Sequence, residues 1–172
     1  MIGVIIKRGE HERRFDFPMN ETHHQQVVSA LLEGYKILRF EESWGLDWNP
    51  EGGIELGLPP EPESIDLYDK FSRLSNEDQL LAWAVFKYST WFFEEIVDDP
   101  GARGEMFLDD PEVYFLQNLR DTFNEKTVDH MLPYFDLTTY AQHTLANTND
   151  WCEITKLRYG KGGPGQGYVK VH

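Results

Sequence analysis

Residues 64–89 read SIDLYDKFSRLSNEDQLLAWAVFKYS, and the fold turns on how this stretch is read. Ser64 is a predicted helix cap, followed by Leu67, Phe71 and Leu74 on one face. Ser75 with Asp78 three residues on resembles a capping box, and it predicts a second helix through Ser89. That second helix is unusual. Leu80, Leu81, Ala84, Val85 and Tyr88 fill one stripe, while Trp83 and Phe86 lie nearly opposite. A helix apolar on two sides is buried on both. Either it is central in a helical cluster, or its second face meets another chain.

On the amino-terminal side the pattern changes to period two. Ile2–Lys7 and Arg13–Phe17 predict a hairpin turned at Gly9. Asn20 or Thr22 caps a helix to Glu33, stopped by Gly34, and Tyr35–Phe40 is a third strand. A Gly- and Pro-rich loop follows over 43–63, with a short strand suggested at Ile54–Leu58. The run from Leu58 to Glu63 holds three prolines and is stiff and extended. On the carboxyl side come a short helix over Trp91–Asp98, an extended Met106–Leu108 and an Asp110-capped helix to about Phe123. A helix around Thr138–Leu145 then leads into strands Trp151–Tyr159 and Gly167–Val171. The fold expected is α+β, with small modules in series. Residues 1–63 form a ββαβ unit and linker, 64–124 a helical acidic middle, and 125–172 a helix plus a β-hairpin.

Charge is the other strong signal. The 172 residues carry 30 acidic and 16 basic side chains, net −14. Residues 41–100 hold fifteen acids against three bases. No Lys or Arg interrupts the nine carboxylates between Phe40 and Asp69. This balance excludes a direct nucleic-acid binder, which needs a basic face, and disfavours an anionic membrane. Asp66 and Asp69 each have a base four residues on, Lys70 and Arg73, and read as a solvated helix face. Glu94, Glu95, Asp98, Asp99, Asp109, Asp110 and Glu112 have no basic neighbour in sequence. Helical carboxylates three or four apart sit ~5–6 Å from one another. DNA carries a phosphate charge per ~1.7 Å of axis. A rigid framework of such carboxylates can therefore present a field like that of DNA.

Signals for catalysis are thin. There is no nucleophile elbow and no His-Glu-x-x-His. The Gly-rich run at 160–167 lacks the Lys-Ser/Thr of a phosphate loop and reads as a hairpin loop. His23 and His24 point about 100° apart on a helix. Asp129, His130, Asp136 and His143 have no spacing that demands an acid–base pair. Glu94-Glu95 and Asp98-Asp99 lack the ordered loop of a calcium site. The single Cys152 excludes a disulfide framework within one chain and sits in a strand pattern. The expectation is a non-enzyme with no cofactor and no metal. The first residues lack the form of a signal peptide or a membrane span, so the location expected is cytoplasmic. The two-faced helix and the run Trp91-Phe92-Phe93 predict a homodimer or partner interface through Trp83, Phe86, Trp91 and Phe92.

Two stretches carry a family resemblance. Ile65–Ser75 is similar to a recurrent segment of the ArdA antirestriction proteins of mobile elements and phages. Met131–Gln142, with Tyr134-Phe135-Asp136 and Tyr140-Ala141, resembles that family's Tyr-(Ile/Phe)-Asp-Tyr-x-x-(Tyr/Phe)-(Ala/Gly) element. Val169–Val171 resembles its closing strand. The resemblance implies an elongated, acidic, often dimeric mimic of bent duplex DNA. It implies a partner, the DNA-binding groove of a type I restriction–modification enzyme, which the protein blocks. An inhibitor of a CRISPR nuclease and a non-mimic adaptor with an aromatic surface are the competing expectations.

Overall fold

The computed structural model describes residues 2–42, 48–50, 55–108, 110–147, 150–159 and 164–172. Residues 55–58 of the suggested strand at Ile54–Leu58 are not strand, while Ile54, Asp109 and residues 160–163 of the Gly-rich loop lie outside the described residues.

The chain opens with β1 (Ile2–Arg8) and β2 (His11–Asp16), an antiparallel hairpin. Gly9 makes its turn at φ +61°, a left-handed conformation that glycine adopts without strain. Helix α1 (Glu21–Leu32) is capped by Asn20, whose side chain accepts from the His23 amide. Strand β3 (Lys36–Glu42) returns beside β1, giving the order β2-β1-β3. This is the ββαβ unit the pattern predicts.

After β4 (Trp48–Pro50) the chain becomes helical. Helix α2 spans Pro62–Arg73 and α3 spans Asn76–Tyr88. α2 starts before Ser64, because Pro62 fits the first turn, where no amide hydrogen is needed. Ser64 is therefore buried inside the helix, and Glu61 holds the cap position. The Ser75 cap is as expected: its hydroxyl accepts from the Asp78 amide at 3.1 Å and donates to the Asp78 carboxylate at 2.8 Å. Helices α4 (Phe93–Asp98) and α5 (Pro100–Arg103) follow, then β5 (Gly104–Phe107) and α6 (Pro111–Phe123), which Asp110 caps. Then come α7 (Glu125–Met131), a 3-10 turn at Leu132–Tyr134, α8 (Leu137–Asn147), β6 (Trp151–Tyr159) and β7 (Pro164–Val171).

The second sheet has the order β4-β6-β7-β5. Its centre is the predicted hairpin, but its edges come from elsewhere. β4 pairs with β6, and β5 pairs with β7 through Gly104 opposite Val171. Every strand pairing described is antiparallel. The result is α+β, with helices packed on small antiparallel sheets.

One hydrophobic cluster runs from Ile2, Val4 and Ile6 of β1 through Tyr68 and Phe71 of α2 and Trp83 and Val85 of α3 to Ile154 and Val169. A second is built on Phe107, Phe115 and Ala141, with Trp151 and Tyr168 packed against it. The two faces of α3 explain its sequence. Leu80, Ala84 and Val85 are buried, and so is Trp83, at 6% exposure. Phe86 on the second face packs its ring 4.9 Å from that of Phe93, on α4 of the same chain. The two-sided helix is thus central within one chain, and the expectation that Trp83 and Phe86 meet a second chain is corrected. The second face needed a cover, and α4 supplies it.

Candidate functional site

The acidic candidates lie on α4, α5 and the start of α6. Glu94, Asp98, Asp99 and Asp110 are exposed; Glu95 and Glu112 are half-buried. Three of them have local structural work. Asp99 caps α5, accepting from the Ala102 amide at 3.1 Å. Asp110 accepts from the Glu112 amide at 2.9 Å, and Glu112 accepts from the Thr138 hydroxyl at 2.7 Å. Capping by Asp also suits the positive end of a helix dipole.

Asp98 is not uncompensated, as its sequence neighbours suggest. Lys70 Nζ on α2 lies 2.7 Å from Asp98 Oδ1. Lys70 therefore does not pair with Asp66 one turn earlier. Asp66 instead lies 3.2 Å from His24 Nε2 on α1. The other expected pair along α2 does form, with Arg73 Nε 2.8 Å from Asp69 Oδ2. The Lys70 ammonium is pushed above its ordinary value, first by its hydrogen bond to Asp98 and then by the charges of Asp98, Glu94 and Asp66. The charges of three carboxylates on two helices thus act on one cation, with Asp98 in direct contact. This gathering across α2 and α4 is the feature that sequence reasoning missed. No local spacing announces a contact 28 residues apart.

Other cations of the described chain are similarly occupied. Arg14 bridges Asp16 and Glu41, Arg39 reaches Glu41, Lys7 reaches Glu12, and Arg120 reaches Asp129. Arg103 lies over the ring of Trp91 at 4.3 Å, and Arg13 lies over Tyr35 at 4.9 Å. What these cations neutralise is mostly their own neighbours. The surplus of carboxylates remains.

Of the four aromatic candidates only Phe92 is open to solvent, at 79% exposure. Trp91 is half-buried under Arg103, and its indole N–H donates to the His172 carbonyl at 3.1 Å. The aromatic interface therefore reduces to Phe92.

Two of the residues considered for acid–base work have other partners. Asp129 is bridged to Arg120, and Asp136 caps α8. The Asp136 carboxyl is held below its usual range by the Thr139 amide and then by the Thr139 hydroxyl. Among the described residues no group of three or more His, Cys, Asp or Glu is placed to hold a metal ion. No described helix is long and apolar enough to cross a membrane.

A separate carboxylate has a structural role. Glu42, at the end of β3, accepts from the Leu56 amide at 2.6 Å, from the Gly57 amide at 3.3 Å and from the Tyr68 hydroxyl. It pins the segment entering α2 to the first sheet. Tyr68 is fully buried, and its phenol is pushed well above its ordinary value by burial, then by Glu42. The groove beside this latch has a volume of about 340 Å³ and includes Arg39, Phe40 and Leu58 in its wall.

No protein-family model, no curated protein and no solved structure matches this chain.

Proposed function

We propose that the protein is an acidic DNA mimic that occupies the basic DNA-binding groove of a host defence nuclease and blocks it. The first target to examine is a type I restriction–modification enzyme, the target that the ArdA resemblance implies. The observation that carries the reading is the single Lys70 among Asp66, Glu94 and Asp98. Two helices gather carboxylates there in excess of the cation between them. A net charge of −14 on 172 residues supplies the surrounding field. Such a field steers a basic partner and speeds association more than it adds affinity per contact. The carboxylates with capping roles are held in fixed positions, as mimicry of a fixed phosphate array requires.

The experiment is competition with DNA for a type I enzyme across ionic strength. The combined variant Glu94→Gln, Asp98→Asn, Asp99→Asn, Asp110→Asn keeps the cap-forming side chains, since Asn caps as well as Asp. The expected result is inhibition that falls steeply with salt and is weakened strongly in the variant. Each exposed ion pair is worth only ~0.2–1 kcal/mol, so single changes have small effects. A protein that competes with DNA on no defence nuclease, restriction or CRISPR type, overturns the reading. An adaptor role through Phe92 then takes its place.

A further inference from the structure

Helix α1 has a broad apolar face, and only part of it is buried. Val27 and Ala30 are buried in the core. Val28 and Leu32 lie beside them at i, i+4 spacing, with Leu31 between, partly buried against the core. Leu32 is 84% exposed and Val28 45%. Beside this stripe lies an open groove between α1 and the first turns of α2. Its walls are His24, Val27, Val28 and Leu31 on one side and Pro62, Glu63, Ile65 and Asp66 on the other. Its volume is about 270 Å³, below the ~300–1,000 Å³ of small-molecule pockets. Being open along its length, it suits side chains presented by a partner better than an enclosed ligand.

The charge at its rim selects the partner. Glu63 and Asp66 line it, and Glu61 lies at the same end of α2. The sequence has no Lys or Arg from Phe15 to Tyr35, nor from Phe40 to Asp69. His24 Nε2 lies 3.2 Å from Asp66 Oδ1, and the charge of Asp66 also acts on Lys70 of α2. A second copy of this chain would bring the same Glu61, Glu63 and Asp66 carboxylates against each other, which is destabilising. A groove with apolar walls between two helices is a usual receptor for an amphipathic helix. We infer that the α1–α2 groove docks an amphipathic helix of a partner protein, one with an apolar stripe flanked by Lys or Arg. This inference does not rest on DNA mimicry, because it needs apolar contact as well as charge, although Asp66 belongs to both surfaces.

Three labelled helical peptides of equal length test it. One has Leu at i, i+3, i+4 and i+7 with Lys on both flanks. The second has the same Leu stripe with Glu flanks, and the third keeps the Lys flanks with Ser in place of Leu. Binding to the full chain is read by fluorescence anisotropy, up to about 1 mM protein. The expected result is saturable binding of the Leu/Lys peptide alone. The pair Val28→Ser, Leu32→Ser should weaken it about tenfold or more. The pair Glu63→Gln, Asp66→Asn should weaken it about threefold to tenfold. All four side chains are exposed or at the groove's edge, and circular dichroism of each variant checks that the fold is kept.

Equal binding of the Ser/Lys peptide would mean general attraction to an acidic protein and overturns the inference. Equal binding of the Leu/Glu peptide removes the role of the rim and also overturns it. Binding that persists in the Val28/Leu32 variant places the contact elsewhere. No binding of any peptide, with wild-type self-association abolished by the same variant, assigns the face to a second copy. No binding and no self-association leaves the groove without this partner.

Discussion

Lys70 Nζ and Asp98 Oδ1 lie 2.7 Å apart, joining the last turn of α2 to the last residue of α4. Both side chains are about half exposed, so water weakens the pair. Its importance lies in the field it leaves behind, because Glu94 and Asp66 also act on the same ammonium.

Lys70→Gln removes the cation and leaves the three carboxylates. Stability should fall by at most about 1 kcal/mol, the upper end for exposed pairs. Inhibition of a nuclease should improve, mainly through a faster association rate at low salt. Stopped-flow binding at two ionic strengths checks this. An unchanged rate in the variant would place this face outside the contact, and a slower one would overturn the prediction.

Tyr68→Phe should change the alkaline limb of stability. The Tyr68 phenol holds its proton more tightly in the folded state than the ~10 of an unfolded tyrosine. The stabilisation this represents is complete below about pH 10 and is lost as pH rises beyond it. Burial also pushes up Tyr88, Tyr114 and Tyr168, so part of the slope survives the substitution. At neutral pH the variant should lose about 1–3 kcal/mol, because Glu42 loses one of its donors. Urea midpoints from pH 7 to 12 for both proteins give the comparison.

Trp83→Ala and Phe92→Ser should behave in opposite ways. The Trp83 side chain lies in the main core, and its loss should cost about 3–5 kcal/mol. Phe92 is exposed, and its replacement should change stability by no more than about 0.5 kcal/mol. Equilibrium unfolding measures both. A Trp83 variant that keeps full stability while changing oligomeric state would return that residue to an interface.

Gly104→Ala should destabilise the junction of α3 with the second sheet. A methyl group there would meet Val85 Cγ2 at 2.6 Å and the Lys170 carbonyl oxygen at 2.8 Å. The carbonyl belongs to the β5–β7 ladder and cannot withdraw without loosening it. A cost of about 1–3 kcal/mol is expected, as for overpacked sites. The pair Gly104→Ala, Val85→Ala should recover part of it if Val85 is the harder neighbour.

Much of the fold was legible in the sequence because its signals act within one turn or one hairpin. Asn20, Ser75 and Asp110 cap helices where their side chains reach an amide two or three residues on. Gly9 turns the first hairpin, and the alternation of Trp151–Ile154 and Gly167–Val171 declares the last. The acidic excess needs only counting. The two-sided pattern of α3 correctly announced burial on both faces, but it did not say what would cover the second.

Tertiary structure decided the rest. It chose α4 of the same chain to cover Phe86, and it placed Trp83 in the core. It gave Lys70 to Asp98 in place of Asp66, and it gave Asp66 to His24. It also recruited β4 and β5 to the edges of a sheet whose centre was readable. The physical reason is common to all three. Sequence spacing fixes which face of an element is apolar or charged, because helical and strand periods are local. Which partner meets that face depends on how distant elements pack to bury the most surface together, and that choice has no signature within any short window of residues.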